Sequence, residues 1–81
     1  MTYLIRMMDV LAVHSELTLT DLAMLSRMNH KRCRILLIWM LDSGYATTRL
    51  LKKRRYVALT QTGIEFARRV HELNDMSRFP P

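Results

Sequence analysis

The sequence predicts a mainly helical domain carrying a small β-hairpin, an α+β fold in the order α-α-α-β-β-α. Three observations predict it. Apolar residues recur at helical spacing on both sides of "SELTL". After Gly44 the period changes, and "YATTR" and "RRYVAL" are rich in the Tyr, Thr and Val that suit strands. Helical spacing then returns after Thr60. With 2 Gly and 2 Pro in 81 residues the chain is too poor in turn formers for an all-β fold, and its 49% hydrophobic content supplies the core of one small domain, 1–81.

Each element has a local reason. Leu4, Met7, Met8 and Leu11 fall at i, i+3, i+4 and i+7, which makes residues 2–14 an amphipathic helix, and Ile5, Val10, Ala12 and Val13 widen its stripe beyond one face. "SELTL" reads as a connection. Thr20 is placed to cap a second helix over 20–26, Asp21 favours its positive end, and Leu22, Ala23 and Leu25 face inward. Asn29 caps a third helix over 30–43, which Gly44 stops where a left-handed residue is wanted. Two short helices joined by such a turn are a helix-turn-helix unit. Residues 45–59 form two antiparallel strands around the basic stretch "LLKKR"; no Asn-Gly marks a tight turn, so the shape of the loop stays open. Thr60 caps a last helix over 61–75 with Phe66, Ala67, Val70 and Leu73 on one face, and "MSRFPP" (76–81) reads as a frayed tail.

Charge is concentrated in the middle of the chain. Of the 13 Lys and Arg, nine lie between Leu22 and Ile64 against the single acid Asp42, and the rest of the chain is net acidic although the whole carries +6. That distribution points to a polyanion-binding face. It is also where a motif needs it. "LTLTDLAMLSRMNHKRCRILLIWMLDSGYA" followed by "RRYVALTQTG" resembles the winged helix-turn-helix domains of small archaeal chromatin-type and regulator proteins and, more distantly, of MarR- and PadR-like regulators. The resemblance covers residues 15–73. Leu59, Thr60 and Gly63 match the Tyr-x-Leu-Thr-x-x-Gly pattern at the exit from the wing; Tyr56 lies one residue early and Val57 holds the tyrosine's place, which leaves the register of the second strand open.

The resemblance implies a double-stranded DNA-binding protein, a small transcription regulator, and physical chemistry assigns the parts. A recognition helix enters the major groove with its N-terminal residues, here Asn29, His30, Lys31, Arg32 and Arg34. With Cys33, Leu37, Met40 and Leu41 facing the core, Lys31 turns outward and Arg32 and Arg34 flank it. Lys31 and Arg34 are the candidates for base edges; Arg32 suits phosphate, and Asn29 serves foremost as the cap. The wing adds Arg49, Lys52, Lys53, Arg54 and Arg55 for the minor groove or flanking phosphates. Thr18 and Thr20 are weaker candidates for a phosphate contact at the start of the second helix.

Helices with surplus apolar surface predict a homodimer, with Tyr3, Ile5, Ile38, Trp39, Phe66, Val70 and Leu73 as interface candidates; cover within one chain is the competing reading. Leu50 and Leu51 either pack back on the hairpin or wedge into a groove. No cofactor, metal or small-molecule ligand is expected: His14, His30 and His71 are scattered, and no catalytic constellation or Gly-rich phosphate loop is visible, so the chain does not read as an enzyme. Cys33, lone and inward-facing, reads as an inert core thiol in a reducing compartment. Arg6 and Asp9 interrupt the apolar start and no long apolar span follows, so a soluble protein of the cytoplasm is expected, and the DNA-binding reading adds an association with the nucleoid. An architectural DNA-binding protein with little sequence preference and a winged-helix protein-interaction module remain as alternatives.

Overall fold

The structure, a computed structural model, describes the backbone of residues 2–76 and the side chains of residues 2–72. The side chain of Leu73 and the tail beyond Met76 lie outside the described residues. The elements are α1 (Thr2–Val13), β1 (Leu17–Thr18), α2 (Leu19–Leu25), α3 (His30–Asp42), β2 (Ala46–Leu51), β3 (Arg54–Leu59) and α4 (Gln61–Met76). The four helices and the hairpin stand in the order expected. The two-residue strand β1 is an addition: "SELTL" is no plain connection, because Leu17 and Thr18 pair antiparallel with Val57 and Tyr56 and complete a sheet of order β1-β3-β2.

The predicted stripe of α1, Leu4, Met7, Met8 and Leu11, is buried whole against Leu22 and Ala23 of α2, Cys33, Leu37 and Met40 of α3, and Ala46 and Val57 of the sheet. Leu41 sits at the edge of this core. Leu25 does not face inward as expected but is exposed, because Leu22, Ala23 and Ser26 set the buried face of α2 and Leu25 lies about 100° round the helix from it. Asn29 caps α3 by accepting the Arg32 amide at 2.7 Å, and Gly44 ends that helix in the left-handed region (φ 78°). The cap of α2 is Thr18 rather than Thr20: its hydroxyl accepts the Asp21 amide at 3.3 Å, and the helix starts at Leu19, directly out of β1.

Residues Leu59, Thr60 and Gly63 bind α4 to the junction of α3 and β2. Thr60 accepts the Gly63 amide at 3.0 Å and so caps α4, while its hydroxyl donates to the Gly44 carbonyl at 2.6 Å. The Thr60 amide donates to the Tyr45 carbonyl at 3.0 Å. Gly63 packs so closely on the Tyr45 backbone that no side chain fits. Tyr45 and Phe66 stack at 4.2 Å between ring centroids, with Trp39 edge-on to Phe66 at 6.3 Å. No helix among the described residues is long and apolar enough to cross a membrane.

Candidate nucleic-acid interface

The first turn of α3 is fully presented to solvent: His30, Lys31, Arg32 and Arg34 are all exposed around the buried Cys33. At 100° per residue Lys31 stands opposite the core, and Arg32 and Arg34 fall on opposite flanks. The two flanks are not equivalent. Arg32 faces the start of α1, where its guanidinium lies 4.3 Å from the centroid of the Tyr3 ring; Arg6 lies 4.7 Å from the same ring. Arg6 in turn donates to the Ser26 and Arg27 carbonyls at 3.3 and 3.2 Å, holding the turn between α2 and α3. Arg27 takes a positive φ of 57° in that turn. This brace from α1 was not apparent in the sequence; its one signal there is Arg6, a cation set within an otherwise apolar helix face.

Between α1 and α3 lies an open groove of about 640 Å³ lined by Tyr3, Leu4, Lys31, Arg32, Ile35 and Trp39, among others. Ile35, Ile38 and Trp39 remain 58%, 51% and 44% exposed. Of the dimer-interface candidates, Tyr3, Ile38 and Trp39 are therefore open to solvent, whereas Phe66 is engaged with Tyr45 and Trp39 of its own chain and Ile5 and Val70 are half-buried.

The hairpin turns on Lys52 and Lys53 alone. Both take positive φ, 49° and 67°, and Leu51 pairs with Arg54 directly across the turn. Residues 50 and 51, which the sequence placed in the loop, belong to β2, and the register is settled with Thr48 opposite Val57 and Arg49 opposite Tyr56. Lys52, Lys53, Arg54 and Arg55 are all exposed. Arg49 is engaged elsewhere: Nε and Nη2 donate to the two Glu16 carboxylate oxygens at 2.6 and 2.7 Å. That hydrogen bonding, with the carboxylate's charge, holds the guanidinium even more firmly protonated. The pair ties the middle of the hairpin to the segment before β1. Thr18 and Thr20 share a shallow recess with Arg54 and Arg55, but Asp21 lines it too, and the Thr18 hydroxyl is occupied as a cap.

Three helices, the third with its cationic first turn exposed, precede a hairpin that returns beside them and is tied to α2 by a short third strand. The fold is a winged helix. Its α3 occupies the recognition-helix position and β2–β3 the wing. Solved structures agree. The chain is similar to a MarR-family transcriptional regulator from Silicibacter pomeroyi (26% identity, TM-score 0.84, 91% of this chain and 51% of that one). It is similar too to Bordetella bronchiseptica BpsR, described with a mechanism for regulation of its DNA binding by 6-hydroxynicotinic acid (11% identity, TM-score 0.85, 91% and 55%). A third similar structure is a mutant of S. aureus MepR bound to an oligodeoxyribonucleotide (17% identity, TM-score 0.80, 94% and 59%). The winged helix thus spans little more than half the length of the structures it matches. No family model and no curated protein sequence matches the chain.

Burial pushes the Cys33 thiol, inside α3, up to about 11, which keeps it protonated and unreactive at neutral pH. Among the described residues no three His, Cys, Asp or Glu side chains gather in a way that could hold a metal ion.

Proposed function

We propose that this winged helix binds double-stranded DNA as a transcription regulator and performs no catalysis. The first turn of α3 enters the major groove, Lys31 and Arg34 reach base edges or the phosphates beside them, and the wing cations Lys52, Lys53, Arg54 and Arg55 follow the neighbouring backbone. Arg32 and Arg49 act at one remove, the first through Tyr3 and the second by fixing the wing to Glu16. His30 stands at the helix start, within reach of the same groove.

The observation that carries this reading is the joint exposure of an acid-free recognition-helix start and a cationic wing on one small domain. The same surface argues against a protein-interaction module, which needs no polycation. We further propose a homodimer that pairs through the open face of Tyr3, Ile38 and Trp39, which would set two recognition helices about 34 Å apart along the duplex.

Fluorescence anisotropy with labelled duplexes from the protein's own upstream region, against scrambled ones and across a salt series, tests the reading. A preference of roughly a thousandfold or more identifies a site-specific regulator. Equal and steeply salt-dependent affinities identify an architectural binder instead, and no binding at low salt overturns DNA binding altogether.

A further inference from the structure

Leu50 and Leu51 have no part in the interface as described so far. Side chains alternate along a strand, so Leu50 shares the face of β2 that carries Ala46 and Thr48 over the core, and it pairs with Arg55. Along that face Ala46 is buried, Thr48 is half-buried and Leu50 is 68% exposed. The body of the domain therefore ends near Thr48, and the wing runs on past it. Leu51, on the opposite face and paired with Arg54, is 45% exposed. Neither leucine belongs to the core. Each face of the wing tip presents an apolar side chain beside the cations Lys52, Lys53, Arg54 and Arg55; no acidic residue lies from Ala46 to Leu59, though on the body Asp21 of α2 lines the recess it shares with Arg54 and Arg55.

The tip is also held in place. Its turn has two residues, both in the left-handed region, and the Arg49–Glu16 pair fastens β2 just before Leu50. A partner that satisfies it must offer an apolar interior between anionic edges, and must touch both faces of a thin ribbon. A base stack between two phosphate backbones has that form, whereas a lipid surface of the same charge is a plane.

We propose, on the footing of the DNA-binding reading above, that the wing tip is an apolar wedge. Leu50, with Leu51 on the other face of the ribbon, enters between neighbouring base pairs from the minor groove and bends the duplex, and the four cations hold the phosphates on either side. Wedges of this chemistry unstack a base step and kink DNA by about 20–90°.

The test uses the full chain and a duplex carrying a fluorophore pair at its ends, with 2-aminopurine placed at successive steps. The wild-type complex shortens the end-to-end distance and brightens 2-aminopurine at one step. Leu50→Ser with Leu51→Ser keeps every cation and alters only exposed positions, so the circular dichroism spectrum and melting temperature stay as they were. That variant loses both signals, while affinity falls by at most about tenfold. Leu50→Phe in the Leu51 background restores them. A straight duplex in the wild-type complex, or a bend unchanged in the double variant, overturns the wedge and leaves DNA binding standing. Absence of binding to any duplex overturns both. If the double variant instead loses binding to phosphatidylserine–phosphatidylcholine vesicles with the bend intact, the leucines serve a membrane and the wedge is again overturned.

Discussion

Gly63→Ala adds one methyl group where the fold has no room for it. A Cβ at position 63 would overlap the Tyr45 carbonyl oxygen outright and lie 2.8 Å from its carbon and 3.2 Å from the Tyr45 Cα. All three atoms are backbone, so no rotamer relieves the clash and the start of α4 must move away from the α3–β2 junction. That movement loosens the Thr60–Tyr45 and Thr60–Gly44 hydrogen bonds and the Tyr45–Phe66 stack. At about 1 kcal/mol for each bond and about 1 kcal/mol for the ring pair, less up to about 1 kcal/mol gained from alanine's helix propensity, the net loss is about 2 kcal/mol. A domain of this size melts about 4–8 °C lower for each kcal/mol lost, so thermal unfolding followed by circular dichroism should move down by about 10–15 °C. Thr62→Ala, in the same turn but exposed, should stay within about 0.5 kcal/mol. A Gly63→Ala protein that melts at or above the wild-type temperature would show that helix propensity alone governs the position, and the seat of α4 on Tyr45 would have to be abandoned.

The turn of the wing gives a prediction of the opposite sign. Left-handed backbone at a non-glycine residue costs roughly 1 kcal/mol, so Lys52→Asn with Lys53→Gly should raise unfolding stability while removing two cations and weakening DNA binding; unchanged stability would argue against the left-handed turn. Ser26, buried with its hydroxyl unpartnered among the described residues, should tolerate replacement by Ala with a gain of up to about 1 kcal/mol, and a clear loss in urea unfolding would mean that the hydroxyl is hydrogen-bonded in solution. For Cys33 the folded thiol is raised from 9.0 to about 11, so its contribution is complete below pH 9 and is lost as pH climbs through 11. The difference amounts to at most about 3 kcal/mol. The alkaline decline in stability should accordingly be smaller in Cys33→Ala than in the wild type, and equal slopes would contradict the burial. The same thiol should react with a disulfide reagent at neutral pH only as fast as the domain opens.

What the sequence disclosed depended on whether the cause was local. The core faces of α1 and α3 follow from spacing within a dozen residues, and the caps at Asn29 and Thr60 from the residue types beside a period change. Strand β1 has two residues and exists only because Val57 and Tyr56, some forty positions away, complete it; that pairing also decides that Thr18, not Thr20, starts α2. The Lys-Lys turn carries none of the glycine or asparagine that usually announces its conformation. For the candidate interface the same division holds. A count along the chain marks eight cations in the recognition helix and wing, but two of them have partners that only the fold supplies: Tyr3 for Arg32 and Glu16 for Arg49. Counterion release scales with the cations that meet phosphate, at about 0.9 per contact. If all eight took part, the logarithm of affinity would fall against the logarithm of salt with a slope of about −7, and with six of them about −5. Anisotropy titrations should therefore give a slope near the smaller figure, which Arg49→Ala should hardly change and which Lys52→Ala with Lys53→Ala should reduce by about 2. If Arg49→Ala reduces the slope as much as a wing lysine does, its pair with Glu16 opens on DNA, and the division into structural and contacting cations is wrong.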